Sequence, residues 1–259
     1  MKKLRIIFLF ITAIEIVFPA CSSLTKCNNI SQKELTILID ISDKKLFTSI
    51  ENDLNTNFPA FMQKTRLGNI TACQSLTLSI GHLSGKEDLE LSSKSISVST
   101  KGQSNNEDKK QASPAPLVQL LQKKVNDYHM LTEDPVMTSG SNIGNVLLKA
   151  IIHSNADAET TILLFSDMVE NNRVINLYKK IPAEKDIATV IDQLIDPDVL
   201  KKFKTLQETG LVAKIIIVMK EEPLGKTNQR SIKNFWSMVF KELKLDVQFI
   251  DNLSNSVEI

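Results

Sequence analysis

The sequence predicts an α/β protein with a mainly parallel six-stranded sheet covered by helices on both faces. Strongly apolar segments of strand length, such as Leu35–Asp40 and Thr160–Ser166, are typical of central parallel strands. Segments with helical periodicity alternate with these strands, which favours a doubly wound arrangement. The chain has 259 residues, 42% of them hydrophobic and 24% charged, which is enough for one domain with a substantial core.

The strand predictions begin with Leu35–Asp40, which consists of apolar and β-branched residues. Ser75–Leu83 alternates apolar and polar residues, as a half-buried strand does. Leu89–Leu91 and Ser95–Thr100 are weaker strand candidates, and a turn at Ser84–Lys86 would make the edge strand antiparallel. The remaining predicted strands are Thr160–Ser166, Val212–Met219 and Leu245–Ile250.

Helices are predicted wherever apolar residues recur every three to four positions. Asp43–Asn55 places Leu46, Phe47, Ile50 and Leu54 on one face, and the last helix places Trp236 among its apolar residues, as expected of a core side chain. Lys101–Pro116 is polar and contains prolines, so an exposed loop is predicted there. The other predicted helices are Leu117–Met130, Ile143–Ser154, Asp186–Ile195, Asp198–Glu208 and Ser231–Leu243.

The N-terminal segment has the pattern of a secretion signal. Met1–Arg5 is basic, and Ile6–Pro19 is mostly apolar but too short for an ordinary membrane span. The sequence Phe-Pro-Ala-Cys at 18–21 resembles a bacterial lipoprotein lipobox. We therefore expect a signal peptide at 1–20, lipidation of Cys21, a tether at 21–33 and a domain at 34–259. The body would lie outside the cytoplasm, anchored to a membrane of the cell envelope. Ordinary cleavage near Ala20 and an uncleaved anchor are the alternatives.

Two further cysteines, Cys27 and Cys73, are predicted to form a disulfide. Outside the cytoplasm a lone pair of thiols often becomes oxidised, and both residues precede predicted strands. Closing a loop of about 46 residues would stabilise the fold by roughly 4 kcal/mol in the chain-entropy model. Two separately buried thiols are the alternative, and the cysteine spacing does not resemble a zinc site.

Several classes of function lack support in the sequence. The formal charge of +1 argues against a nucleic-acid partner. His82, His129 and His153 share no metal-ligand spacing, so structural or surface roles are expected. The chain contains neither a phosphate-binding glycine loop nor a Gly-x-Ser-x-Gly motif, and no small-molecule substrate is evident.

Three short segments carry oxygen ligands to the expected carboxyl-terminal edge of the sheet. Asp40 and Ser42 follow the first strand, Ser141 precedes the helix at Ile143, and Asp167 follows the strand at 160–166. Open α/β sheets bind ligands at this edge. Carboxylate and hydroxyl oxygens suit Mg²⁺ or another hard divalent cation.

These motifs resemble those of the von Willebrand factor A (vWA) family, from about residue 35 to residue 250. The resemblance implies the strand order 3-2-1-4-5-6 with one antiparallel edge strand. It also implies a metal-ion-dependent adhesion site formed by Asp40, Ser42, Ser141 and Asp167. One position departs from the motif, because Lys44 stands where the family has a second serine. An inward Lys44 would neutralise the carboxylates without metal, whereas an outward Lys44 would leave four oxygen positions.

Each of these residues also has a purely structural interpretation. Ser42 and Ser141 would cap the following helices, with Asp43 favouring the helix N-terminus, and Asp167 would stabilise a turn. The leading functional prediction is an envelope-anchored vWA-like module that binds an unidentified protein and is not an enzyme. The alternatives are a structural lipoprotein without a functional metal site and a cation-dependent hydrolase that uses Asp40 and Asp167.

Overall fold

The computed structural model describes residues 30–65, 67, 70–71, 73–84, 89–97, 113–134, 141–170, 175–210, 213–220 and 226–255, with backbone alone at 226–228. The strands are β1 (Ser31–Asp40), β2 (Gln74–Leu83), β3 (Ser92–Ser97), β4 (Ala158–Ser166), β5 (Ala213–Met219) and β6 (Val247–Ile250). The α-helices are α1 (Lys44–Lys64), α2 (Ala115–Leu131), α3 (Ile143–His153), α4 (Ile187–Leu194), α5 (Pro197–Glu208) and α6 (Lys226–Glu242). Short 3-10 helices lie at Glu184–Asp186 and Leu253–Asn255.

The strands form one sheet in the order β3-β2-β1-β4-β5-β6. β1 lies between β2 and β4 and runs parallel to both, while β3 pairs antiparallel with β2 at one edge. The remaining neighbours, β4 with β5 and β5 with β6, are parallel. The predicted fold class, strand order and antiparallel edge are therefore confirmed. Strand order reverses between β1 and β4, which makes their carboxyl ends the switch point of the sheet.

The core is divided by the sheet into two layers of buried residues. Leu35, Ile37 and Ile39 of β1 pack with α1 and α2 on one face. Leu38 points to the other face and belongs with the buried residues of α3, α4, α5 and α6. Successive side chains of a strand alternate between faces, so burial on both faces requires the continuous apolar run seen in β1. Asp40 is on the same side of the strand as Leu38.

Several boundaries differ from the predictions. β1 begins at Ser31, because its first residues pair with β2 from Gln74 onward, so the last three residues predicted as tether are strand. Leu89–Leu91 is not a strand; its leucine side chains instead pack over Gly81, where an added Cβ would lie 2.9 Å from Leu91 Cδ2. α2 begins at Ala115, two residues before its predicted start. Most of the predicted polar loop lies outside the described residues.

Helix α1 continues nine residues beyond its predicted end at Asn55, even though Pro59 lies inside it. A proline within a helix removes one hydrogen bond and costs on the order of 3 kcal/mol. The last turns of α1 bury Phe58, Phe61 and Met62 in the core, which offsets that cost. The rings of Phe58 and Phe61 stack with centroids 6.3 Å apart.

Within the described ranges, no helix has both the length and the apolar character needed to cross a membrane. The predicted signal peptide, the predicted lipidation site Cys21 and Cys27 lie outside those ranges. Cys73 lies in the turn before β2, where its backbone adopts a φ of 64°.

Candidate functional site

Three segments meet at the carboxyl-terminal edge of β1 and β4. The register pairs Ile39 with Phe165, which places Asp40 beside Ser166. Ser166 Oγ donates a hydrogen bond to Asp40 Oδ2 at 2.6 Å. Ser141 Oγ donates to the carbonyl oxygen of Val169 at 2.9 Å. The segments that contain Asp40 and Ser141 thus each contact the segment that contains Asp167.

Asp40 is fully buried, and both of its carboxylate oxygens accept hydrogen bonds. Oδ1 accepts from the backbone N–H of Ser42 at 2.9 Å, and Oδ2 accepts from Ser166 Oγ. Burial raises the pKa of Asp40 because the charged form loses its hydration, and the hydrogen bonds from Ser166 and Ser42 oppose this shift. A cation close to Asp40 would favour its ionised form.

Ser166 is a central residue of this site that is not among the predicted ligands. It is fully buried, and its Oγ accepts a hydrogen bond from the Met168 N–H at 2.9 Å while donating to Asp40. Met168 has a φ of 63°, a left-handed conformation that is unusual for a residue other than glycine. The carbonyl of Met168 accepts from Trp236 Nε1 at 2.7 Å, which holds the same turn from α6. The only sequence signal for Ser166 is its position beside Asp40 once β1 and β4 are placed together.

Asp167 and Ser141 are both almost completely buried, each with 4% of its surface exposed. Asp167 Oδ1 accepts from the Val169 N–H at 2.8 Å, a contact that stabilises the turn after β4, as the structural interpretation of Asp167 predicts. Ser141 does not cap α3, since its hydroxyl bonds to Val169. The N-cap residue of α3 is Asn142, which makes no capping hydrogen bond with its side chain.

Glu170 provides the anionic group at the N-terminus of α3. It is fully buried, and its Oε2 accepts from the Ile143 N–H at 2.8 Å. A carboxylate at this position satisfies an N–H group that has no partner within the helix and interacts favourably with the helix dipole. Glu170 was not among the predicted site residues, because nothing in the local sequence links it to a helix that begins 27 residues earlier.

The start of α1 also differs from the simplest structural interpretation. Asp43, rather than Ser42, is the N-cap residue, and its Oδ1 accepts from the backbone N–H groups of Lys45 and Leu46 at 2.8 and 2.9 Å. Asp43 therefore serves the helix. Ser42 is left at the end of β1 next to Asp40, where its N–H bonds the carboxylate.

Lys44, the residue that departs from the vWA motif, points outward. Its ammonium pairs with Glu133, and both side chains are more than half exposed, at 56% and 58%. The hydrogen bond from Lys44 lowers the pKa of Glu133. An exposed pair of this kind contributes little to stability. The consequence for the site is that the Lys44 ammonium does not lie between Asp40 and Asp167.

The donor set fits a hard divalent cation in its chemistry. Carboxylate and hydroxyl oxygens on three adjacent segments are provided by Asp40, Ser42, Ser141 and Asp167. The Lys44 ammonium does not occupy the space between these groups, because it pairs with Glu133. In the part of the chain that the structure describes, no three His, Cys, Asp or Glu side chains are grouped as metal ligands, so the hydroxyl groups would be essential. The burial of Asp40 adds to the fit, because a cation would offset the desolvation of its carboxylate.

A buried ion pair supports the same edge from the neighbouring strand. Lys220 follows β5, and its N–H donates to the carbonyl of Ser166 at 3.0 Å. Its ammonium pairs with Asp53 of α1, and the two side chains are only 9% and 4% exposed. Asp53 Oδ2 also accepts from the Leu253 N–H at 3.3 Å. The pair thus connects the switch-point edge to α1 and to the segment after β6, and no local sequence pattern predicts it.

Each of the three histidines makes a contact within the fold. The ring of His82 packs against Tyr128, with centroids 4.9 Å apart. His129 packs against Phe47, and His153 Nδ1 lies 2.7 Å from the Lys149 carbonyl oxygen within α3. Trp236 is fully buried, so its predicted core position is confirmed.

No protein-family model and no curated protein sequence matches this chain. Similar solved structures include the human COPII-coat protein Sec24c, at 10% identity and a TM-score of 0.41 over 86% of this chain and 30% of that one. The pilus adhesin SpaC from Lactobacillus rhamnosus GG, in an open conformation, matches at 12% identity and a TM-score of 0.39 over 88% and 29% of the two chains. Proximal thread matrix protein 1 from the mussel byssus, with a zinc-occupied MIDAS motif, matches at 12% identity and a TM-score of 0.31. The match covers 87% of this chain and 45% of that one. This chain therefore spans less than half the length of each of these proteins.

Proposed function

We propose that this chain is an envelope-anchored vWA-like module that binds another protein through the carboxyl-terminal edge of its sheet. The observation that carries the proposal is the meeting of three segments at the β1–β4 switch point, through the Asp40–Ser166 and Ser141–Val169 hydrogen bonds. The strand order 3-2-1-4-5-6, which the vWA resemblance implies, supports the same assignment. The proposed role is binding rather than catalysis.

In this proposal Asp40, Ser42, Ser141 and Asp167 hold a divalent cation such as Mg²⁺. The cation would supply an open coordination position for a carboxylate oxygen of the partner protein. The outward orientation of Lys44 supports this arrangement, because the ammonium does not compete for the two carboxylates. With lysine in place of the second motif serine, one ligand is lost, and we expect water to take its place.

Cation binding is tested by titrating Mg²⁺ and Mn²⁺ into a purified protein that lacks residues 1–21 while its melting temperature is measured. A cation at 100 times its dissociation constant stabilises the folded state by about 2.7 kcal/mol. For a domain of this size that corresponds to a rise of about 5–10 °C. We expect the rise in the wild type and in the control Asp157→Asn, which changes an exposed residue before β4, and its loss in Asp167→Asn. An unchanged melting temperature in the wild type would refute the cation site.

A second candidate function is a structural lipoprotein without a metal. The hydrogen bonds of Asp40 favour it, because the Ser42 N–H and the Ser166 hydroxyl already supply one donor to each of its oxygens. In that case Asp40→Asn and Asp167→Asn would leave partner binding unchanged. Catalysis, in contrast, would appear as hydrolysis of a phosphate ester that Asp40→Asn abolishes.

The proposal includes lipidation at Cys21 and a disulfide between Cys27 and Cys73. Mass spectrometry of peptides from the non-reduced protein tests both points at once. A diacylated peptide that begins at Cys21 and a linked peptide that joins residues 27 and 73 are the expected products.

A further inference from the structure

The edge of the sheet opposite the candidate site is where the chain enters the fold. β1 starts at Ser31, in register with Gln74 of β2, and Gln32 is level with Ala158 of β4. The starts of these central parallel strands therefore lie together at one edge, here called the entry edge. Asp40 ends the same strand, and ten residues of β1 rise about 30 Å from the entry edge to the candidate site.

The covalent link between the proposed lipid anchor and the entry edge is short. Ten residue steps separate Cys21 from Ser31, so even a fully extended chain spans at most about 36 Å. A flexible chain of that length spans on the order of 20 Å on average. The tether therefore keeps the entry edge close to the membrane.

The position of β1 prevents the body from turning over on this tether. β1 is the third of six strands and is covered by helices on both faces. To bring Asp40 to the membrane, the tether would pass around a helix layer about 10 Å thick and then along the whole height of the sheet. That path is at least about 40 Å, longer than the extended tether.

Ile30 gives an independent indication at the same edge. It directly precedes β1, and its side chain is 54% exposed, one of three large hydrophobic residues that are exposed within the described ranges. At the end of a lipidated tether, an exposed isoleucine would contact the membrane interface, where burial of its apolar surface is favourable.

We infer that the entry edge faces the anchoring membrane and that the candidate site points away from it, up to about 30 Å farther from the membrane surface than the entry edge. The partner would then be a protein that projects well above this membrane, is soluble, or belongs to a facing surface. This inference rests on the proposed anchor at Cys21.

The test measures energy transfer from the protein to the membrane surface. The full chain, expressed in bacteria so that its leader is processed, is reconstituted in vesicles of phosphatidylethanolamine and phosphatidylglycerol with acceptor-labelled headgroups. A donor dye is attached to an azide-bearing residue that replaces either Asp157, exposed near the entry edge, or Lys45, exposed near the candidate site. This chemistry leaves the cysteines unmodified.

Because the two positions differ in height by about 30 Å, we expect energy transfer from position 157 to be at least about twofold that from position 45. Equal transfer, or greater transfer from position 45, would overturn the orientation while leaving the anchor intact. Loss of the protein from the vesicles would overturn the anchor and, with it, this inference.

A variant with a longer tether tests whether the short tether is the cause. Inserting 20 Gly/Ser residues after position 23 lengthens the average span of the tether to on the order of 30 Å. We expect the difference between positions 157 and 45 to shrink in this variant. An unchanged difference would refute the explanation based on tether length.

Discussion

Replacing Ser166 by alanine is the sharpest test of how the candidate site is held together. The change removes the hydrogen bond to Asp40 Oδ2 and the acceptor for the Met168 N–H, both in a fully buried environment. A hydrogen bond to a charged group is worth about 1.5–3 kcal/mol, and an unsatisfied buried N–H costs about 1–3 kcal/mol. We expect Ser166→Ala to lower the free energy of unfolding by about 3 kcal/mol, a loss of about 6–12 °C in melting temperature.

Urea denaturation measures this loss, and Ser154→Ala is the matched control. Ser154 is also a buried serine, but its Oγ donates to the Ala150 carbonyl at 3.0 Å and has no carboxylate partner. Its replacement should cost about 1 kcal/mol. In a double-mutant cycle, Ser166→Ala and Asp40→Asn should show a coupling energy of about 1–3 kcal/mol. Equal losses for the two serine variants, or no coupling, would refute the account of the Ser166 contact.

Three further predictions concern charged groups. Lys220→Met leaves the carboxylate of Asp53 buried without its cation, so the free energy of unfolding measured in urea should fall by about 3–5 kcal/mol. Adding Asp53→Leu removes the unpaired carboxylate, so the double variant should recover most of that loss. Burial raises the pKa of Asp40 above its usual 3.8, so the folded state binds a proton at Asp40 more tightly than the unfolded state does. The stability that protonated Asp40 contributes is therefore lost as pH rises through its folded pKa. Asp40→Asn should remove that component from a pH series of unfolding measurements, and an identical pH series would contradict it. Lys44→Ser restores the missing motif hydroxyl and should tighten Mg²⁺ binding about tenfold by calorimetry, whereas the control Lys44→Ala should not.

The fold was predictable because each central strand carries its own signal. The apolar runs of β1, β4 and β5 require burial on both faces, and that requirement leads directly to a parallel sheet between two helix layers. The end of α1 was not predictable in the same way, because Pro59 is locally a helix breaker. Only the burial of Phe58 and Phe61 against the core makes continuation of the helix favourable.

The candidate site was predictable only in part, because its contacts join residues that are distant in the sequence. Asp40 and Asp167 are predictable from their positions at strand ends. Ser166 acquires its role from the β1–β4 register, and Glu170 from the placement of the α3 N-terminus beside it. The ion pair of Lys220 with Asp53 spans 167 residues, so no local pattern marks either residue.

Quantitative capture of a partner protein from envelope extracts tests the central claim most directly. The immobilised wild type is compared with Asp40→Asn and Asp167→Asn, each shown to be folded by its melting temperature, and with Asp157→Asn near the entry edge. If the carboxyl-terminal edge is the binding surface, the two site variants lose the captured protein while Asp157→Asn retains it. Equal capture by all four proteins would contradict a binding role for this edge.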